Sequence, residues 1–207
     1  MKRRWSSKVV DAVSSVPPMR VEYLVPIVVM LMLWVGLSSF GLAKEKSFVM
    51  VLVMGQTYAI WRNLPTAAAQ LSQPDRDRSR MLYWPVGAML MLAISQLIIS
   101  SPIFSQRILS AACIFVLVVM ILGMRREDEV LERVSPNSVV RGKLMARVSL
   151  LRVNALAAGT VLIVNELLIQ SGSLTVWMTG MALFAMILHA LYWFMVLMVM
   201  PPEDNPV

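Results

Sequence analysis

The 207-residue chain is 58% hydrophobic and only 15% charged, with a mean hydropathy of +0.70. Because soluble domains usually contain about 25% charged residues, this composition excludes an ordinary soluble protein and indicates an integral membrane protein. The single cysteine, Cys113, excludes a disulfide framework and a cysteine-rich metal site. The net charge of +7 does not predict a nucleic-acid partner, because the distribution of charge along a membrane protein matters more than its sum.

The first twenty residues combine a basic cluster with apolar residues at helical spacing. Trp5, Val9, Val13 and Val16 recur on one side of a helix. Such a helix lies on an anionic membrane surface. We therefore predict that segment 1–20 is a basic amphipathic helix bound to anionic lipids of the inner leaflet; the alternative is a disordered basic tail. The basic residues that carry this prediction are Lys2, Arg3, Arg4 and Lys8.

Six apolar segments follow, each bounded by charged or turn-forming residues. A spanning helix needs about 20 apolar residues, since each residue adds about 1.5 Å of length. We predict an all-α polytopic membrane protein, with about six transmembrane helices over residues 21–200 arranged as three consecutive hairpins. An acidic cytoplasmic tail at 201–207 follows, and the charged stretch 125–152 is expected to be a partly helical connector. The six segments are 22–43, 47–64, 81–100, 108–124, 153–170 and 174–200.

Lysines and arginines are distributed unevenly between the two sets of connections. Sixteen of the 19 lie on the set that includes the N-terminal segment, whereas Lys44, Lys46 and Arg107 occupy the opposite set. Because basic loops stay in the cytoplasm, we predict a multi-pass membrane protein with both termini cytoplasmic. The predicted outer links are 44–46, 101–107 and 171–173.

Sequence signatures of catalysis are absent. The chain contains no glycine-rich phosphate loop, no His-Glu-x-x-His, no Gly-x-Ser-x-Gly and no Cys-x-x-Cys motif. We therefore predict a protein that is not an enzyme, with no catalytic residues, no metal ligands and no cofactor.

Three isolated polar residues lie inside apolar segments. His189 is near the middle of the last segment, where an imidazole could bind haem or relay protons. One histidine cannot supply two haem ligands, so a hydrogen-bonded structural histidine is the preferred interpretation. Gln56 and Gln96 are single amides in their helices, and hydrogen bonds between helices are the role expected of them.

The stretch VNELL places Asn165 beside Glu166 in the outer part of the fifth segment. At about 1.5 Å per residue, Glu166 is roughly 9 Å from the following link. Adjacent residues differ by about 100° around a helix, so we expect Asn165 to bond a neighbouring helix while Glu166 points elsewhere. Arg107, on a link of the same side, is the predicted ionic partner of Glu166. Polarity at a helix end is the alternative interpretation.

Residues 153–184, VNALAAGTVLIVNELLIQSGSLTVWMTGMALF, resemble the intracellular septation protein A family, also called inner membrane-spanning protein YciB. That family has an Asn, often Asn-Glu, late in a penultimate helix, then a short polar link and a Trp near the start of the final helix. Asn165, Glu166 and Trp177 match these features. Pro26 and the SPIFSQR stretch are also similar, as is the ending MPPEDNPV.

The chain departs from the family pattern in three respects. The family's lysine after the tryptophan is absent from WMTG at 177–180, QRIL replaces its Lys-Pro pair after the Phe, and the N-terminal segment is longer. The resemblance implies a non-enzymatic protein of the bacterial inner membrane that supports envelope integrity and cell division through partner proteins. The sequence is also compatible with a homo-oligomer.

A second class of function fits the same composition. A small transporter, or an accessory subunit of a larger membrane complex, would use polar residues inside the helical bundle to line a pathway. The residues proposed for that lining are Gln56, Gln96, Asn165 and Glu166.

Overall fold

The computed structural model describes residues 10, 13–19, 21–71, 76–133 and 139–199, and these residues form helices joined by short connections, without any strand. The basic residues 2–8, the SPNS stretch at 135–138 and the tail 201–207 lie outside the described residues. The helices are α1 (Val21–Ser39), α2 (Lys44–Leu71), α3 (Arg76–Ile99), α4 (Pro102–Arg133), α5 (Val139–Gln170) and α6 (Leu174–Val199). The all-α class predicted from the sequence is therefore confirmed.

The helices are longer than several of the apolar segments that predicted them. α2 continues to Leu71, and α4 and α5 each contain 32 residues. The connector predicted to be partly helical is helical over 125–133 and over 139–152. Charged residues extend these helices beyond their apolar parts because a helix satisfies its own backbone hydrogen bonds in water as well as in lipid.

The predictions of outer links at 44–46 and at 101–107 are wrong, since α2 already begins at Lys44. α4 begins at Pro102, so Arg107 lies on a helix, and only two residues separate α3 from α4. The physical reason is a helix start that the apolar pattern did not reveal. The Ser101 hydroxyl accepts a hydrogen bond from the Phe104 N–H at 3.4 Å, and Pro102 occupies the first helical turn, where its missing N–H needs no partner.

Three short connections, after α1, α3 and α5, each contain one residue with positive φ. Gly41 has φ of 78°, Ser100 has 50° and Gly172 has 68°. A left-handed residue within two residues of a helix end turns the chain away and lets N–H groups bond the last free carbonyls. The Ser100 N–H, for example, donates to Gln96 O at 2.8 Å. These caps allow the next helix to begin within a few residues.

The chain divides into two compact units. The N-terminal unit is Glu22–Ile108, and the C-terminal unit combines Leu109–Val207 with Met1–Val21. In the N-terminal unit α2 packs against α3. The Trp34 ring on α1 meets the Phe48 ring on α2 edge to face, with 5.9 Å between ring centroids. Both rings are buried, so this aromatic pair stabilises the packing of α1 against the start of α2.

In the C-terminal unit α5 packs against α6. Gly180 permits a close approach, since a Cβ there would lie 2.7 Å from Cδ2 of Leu168. Gly123 on α4 similarly faces Leu151 on α5, and its Cβ would lie 3.4 Å from Leu151 Cδ1. Small residues at such contacts let helices approach closely where lipid supplies no hydrophobic drive for their association.

Three helical stretches are long and apolar enough to cross a membrane: Pro102–Arg133, Leu144–Gln170 and Leu174–Val199. Shorter apolar stretches occupy Leu24–Ser39 and Val86–Ile99. Large apolar side chains cover the outside of the spanning helices, with Phe115 69% exposed and Ile187 63% exposed. An apolar surface of this extent is typical of contact with lipid, so the structure is consistent with a membrane protein that has at least these three candidate spans.

Candidate functional site

Four side chains of the C-terminal unit form a continuous chain of hydrogen bonds across α4, α5 and α6. The Trp177 Nε1–H donates to Asn165 Oδ1 at 2.9 Å. Asn165 Nδ2 donates to Ser110 Oγ at 2.8 Å, and the Ser110 hydroxyl donates to Glu166 Oε1 at 2.6 Å. We call these four residues the Asn165 network.

The chemistry of the groups determines the direction of every bond in the Asn165 network. An indole N–H can only donate, so the amide oxygen of Asn165 must face Trp177. The amide nitrogen then faces Ser110, which accepts from it and has one proton left to donate. An ionised carboxylate only accepts, so Glu166 is a suitable final acceptor for that proton. The orientation of the Asn165 amide thus follows from its neighbours.

Burial makes the Asn165 network energetically important. Asn165 is fully buried at 0% exposure, while Trp177 is 4% and Ser110 is 5% exposed. Leaving one such buried group without its partner costs about 1–3 kcal/mol. Hydrogen bonds between membrane helices contribute about 0.6 kcal/mol on average and up to about 1.7 kcal/mol. The network therefore tends to hold the three helices in one relative register, because sliding one helix would break several bonds together.

The hairpin formed by α5 and α6 explains why Asn165 and Trp177 meet. α5 ends at Gln170, and Ser173 caps the start of α6 by accepting a 3.4 Å hydrogen bond from the Val176 N–H. Asn165 lies about 8 Å before the end of α5, and Trp177 lies within the first turns of α6. Two antiparallel helices joined by a short link bring these levels together. Gly180, one turn beyond Trp177, keeps the helices close there.

The structure brings both polar residues of the VNELL stretch to the same place. The prediction that Asn165 bonds a neighbouring helix is confirmed, and it bonds two of them. The expectation that Glu166 points elsewhere is wrong, since both side chains meet at the Ser110 hydroxyl. The physical reason is the length of the glutamate side chain, which reaches a group that the shorter asparagine also contacts.

Sequence reasoning missed Ser110 as part of this site. Its only signal is a hydroxyl residue inside the apolar run ILSAACIF, four residues after Gln106. A serine of this kind often bonds its own helix, as Ser95 does to Met91 O. The sequence alone therefore did not distinguish a local hydroxyl from one that joins two other helices.

The N-terminal unit has a separate polar contact between α2 and α3. Gln96 Nε2 donates to Gln56 Oε1 at 2.9 Å, and this is an interhelical hydrogen bond of the kind expected for these amides. Gln96 is fully buried. Its Oε1 atom has no hydrogen-bond partner among the described residues, and the same is true of the buried Ser105 Oγ.

The structure also places two further predicted residues, His189 and Arg107. His189 is a partly buried residue near the middle of α6. Arg107 is exposed on α4, three residues before Ser110, in the N-terminal unit. Three residues correspond to about one helical turn, so Arg107 and Ser110 share a face of α4. The ion pair between Arg107 and Glu166 stays a prediction.

Within the described part of the chain, no cluster of three or more His, Cys, Asp or Glu side chains is arranged to hold a metal ion. No protein-family model, curated protein or solved structure matches this chain. The resemblance to the septation protein family therefore stays a prediction that rests on its residues alone.

The bond between Asn165 and Trp177 is tested by a double-mutant cycle. Trp177→Phe and Asn165→Leu each strand a buried polar group, so each should lower the free energy of unfolding in mixed micelles by about 1–3 kcal/mol. The double variant should lose less than the sum, by about 0.6–1.7 kcal/mol. Trp61→Phe, at a side chain that is 72% exposed, is the matched control. Additive losses would contradict the bond.

Substitutions of Glu166 separate its charge from its role as an acceptor. Glu166→Gln keeps an oxygen for the Ser110 hydroxyl, so its effect reports the charge, whereas Glu166→Leu also removes the acceptor. We expect Glu166→Leu to lower the melting temperature more than Glu166→Gln. An exposed ion pair contributes only about 0–1 kcal/mol, so Glu166→Gln should lower the melting temperature only slightly. Its effect should be less than additive with that of Arg107→Gln. Strict additivity of the two losses would show that Arg107 is not the ionic partner of Glu166. It would not contradict the hydrogen bond between Ser110 and Glu166.

Proposed function

We propose that this chain is a non-enzymatic multi-pass protein of the bacterial inner membrane that supports envelope integrity and septation by binding partner proteins. The observation that supports this proposal most directly is the Asn165–Trp177 hydrogen bond. These are two of the residues that carry the resemblance to the septation protein family. Their direct contact indicates that the matching residues act together as one structural unit.

The geometry of the Asn165 network favours a scaffold over a catalyst. Its donors and acceptors bond one another, and three of its four side chains are buried. Groups used in this way hold helices together and present a defined outer surface. A protein that acts by binding others needs such a rigid helical unit, together with lipid-exposed faces on which membrane partners can pack.

For the topology we propose six spans, with α1–α3 as well as α4–α6 crossing the membrane and both termini in the cytoplasm. The uneven distribution of lysine and arginine supports this orientation. The short caps at Gly41, Ser100 and Gly172 fall on the three connections that would face outward. Short outer connections are typical of consecutive helical hairpins.

A transporter or accessory subunit remains the second candidate function. Four buried side-chain atoms of the N-terminal unit favour it, because they have no hydrogen-bond partner among the described residues: Ser38 Oγ, Ser47 Oγ, Gln96 Oε1 and Ser105 Oγ. Polar atoms of this kind can accept bonds from a passing solute. The Asn165 network does not favour this candidate, since its groups are already bonded to one another.

Reporter fusions test the topology. Fusions after Gly41 and after Ser171 should report the outer side of the membrane, and fusions after Gln73 and after Val207 should report the cytoplasm. A topology with only the three C-terminal spans predicts the same side of the membrane for Gly41 and Gln73, because no spanning helix would then lie between these two positions. Identical signals after Ser171 and Val207 would contradict both topologies.

Depletion in the native host tests the septation role. Cells that lose the protein should divide later and become more sensitive to envelope stress. Wild type and Trp61→Phe should restore division, whereas Asn165→Leu should restore it less well, at matched levels of the protein in the membrane. Normal division and normal envelope sensitivity after depletion, with altered uptake of a solute, would favour the transporter instead.

A further inference from the structure

A cleft of about 390 Å³ lies between the last turns of α4 and the first half of α5, within the C-terminal unit. Its volume falls in the range of small-molecule sites, which is roughly 300–1,000 Å³. Two acids of α4 line it, Asp128 and Glu132, and so do two arginines of α5, Arg141 and Arg152. Ser149 of α5 adds a hydroxyl. The cleft shares no residue with the Asn165 network.

The position of the cleft along the helices corresponds to the membrane surface. The apolar part of α4 ends at Met124, directly before Arg125, and the candidate span of α5 begins at Leu144. The acids of α4 lie beyond its apolar part, whereas Arg152 lies inside the α5 span. The cleft therefore extends from the edge of the apolar layer into water, which is the level of lipid headgroups.

Apolar side chains complete the lining. Leu131, Met145 and Val148 contribute to it, and Val148 is buried. A cleft that has both a charged rim and an apolar part suits an amphipathic molecule. A small soluble ion would contact the charges and leave the apolar surface uncovered.

The charges that line the cleft indicate which kind of ligand it can bind. Two carboxylates and two guanidiniums have no net formal charge, so a purely anionic ligand would meet repulsion from Asp128 and Glu132. Guanidinium groups bind phosphate oxygens through paired N–H donors. Carboxylates accept hydrogen bonds from a primary ammonium. A molecule that carries one phosphate and one primary amine offers a complementary charge to both kinds of group.

We propose that this cleft binds the headgroup of a phospholipid that carries a phosphate and a primary amine, as phosphatidylethanolamine does. Arg141, Arg152 and Ser149 contact the phosphate, and Asp128 and Glu132 accept hydrogen bonds from the ammonium. This inference depends on α4 and α5 spanning the membrane and does not depend on the septation role.

Binding of defined lipids to the full-length protein in detergent tests the proposal. Short-chain phosphatidylethanolamine, phosphatidylcholine and phosphatidylglycerol are titrated, and the bound fraction is read by native mass spectrometry. Phosphatidylcholine has a phosphate but no N–H, and phosphatidylglycerol has no amine. We expect phosphatidylethanolamine to bind more tightly than either one by on the order of tenfold, because hydrogen bonds between charged groups are strong.

Two double variants assign the roles of the charges. Asp128→Asn with Glu132→Gln should abolish the preference for phosphatidylethanolamine and favour phosphatidylglycerol, since the cleft becomes basic. Arg141→Gln with Arg152→Gln should weaken binding of all three lipids. Arg126→Gln with Glu129→Gln, at two exposed residues outside the cleft lining, is the matched control and should keep the ranking of the wild type.

Several outcomes would overturn the assignment. Equal affinities of the wild type for the three lipids would mean that the four charges only pair with one another. An unchanged ranking in the variant that lacks Asp128 and Glu132 would show that they do not contact the ammonium. Glycerophosphoethanolamine, which carries the same headgroup without acyl chains, separates the two sources of this chemistry. If it binds as tightly as the lipid, the ligand is a soluble phosphoamine and the lipid assignment fails.

Discussion

The side chain of Asn165 is the constraint on which the C-terminal unit depends. It is fully buried in an apolar helix, where an amide must find partners or destabilise the fold by about 1–3 kcal/mol per stranded group. Trp177 supplies a donor and Ser110 supplies an acceptor, and the two lie on different helices. Satisfying one amide therefore restricts the positions of α4, α5 and α6 together.

The Ser110 hydroxyl connects this constraint to the acidic residue beside it. It accepts from Asn165 and donates to Glu166, so the carboxylate is the terminal acceptor of a chain that starts at an indole. An acid inside a membrane helix is usually taken as a functional site. Here the Glu166 Oε1 atom has a structural role, because it accepts the hydrogen bond that the Ser110 hydroxyl donates.

The two units differ in how completely their buried amide side chains are hydrogen-bonded. In the C-terminal unit both polar ends of the Asn165 side chain are bonded to neighbouring helices. In the N-terminal unit Gln96 donates to Gln56, yet its own oxygen lacks a partner among the described residues. A satisfied network favours rigidity, which supports the scaffold role that we propose for α4–α6. The charged cleft at the other end of α4 and α5 is the site that we propose for a lipid headgroup.

The sequence by itself determined the class of the fold and the approximate position of each helix. Apolar runs of about 20 residues have few alternatives to a helix in lipid, since every backbone N–H and C=O must be bonded internally. The sequence also singled out Asn165 and Glu166, because polar residues are conspicuous in such runs. It misplaced the start of α4, where the Ser101 cap and Pro102 decide the boundary and the apolar pattern carries no information.

Only the tertiary structure decided which groups meet. Ser110 and Glu166 are separated by 56 residues along the chain, and no helical period relates positions on different helices. The cleft between α4 and α5 likewise requires two helices to lie side by side, although its acids and arginines looked like an ordinary solvated connector in the sequence. Periodicity identifies which residues share a face of one helix; the packing of one helix against another determines what that face contacts.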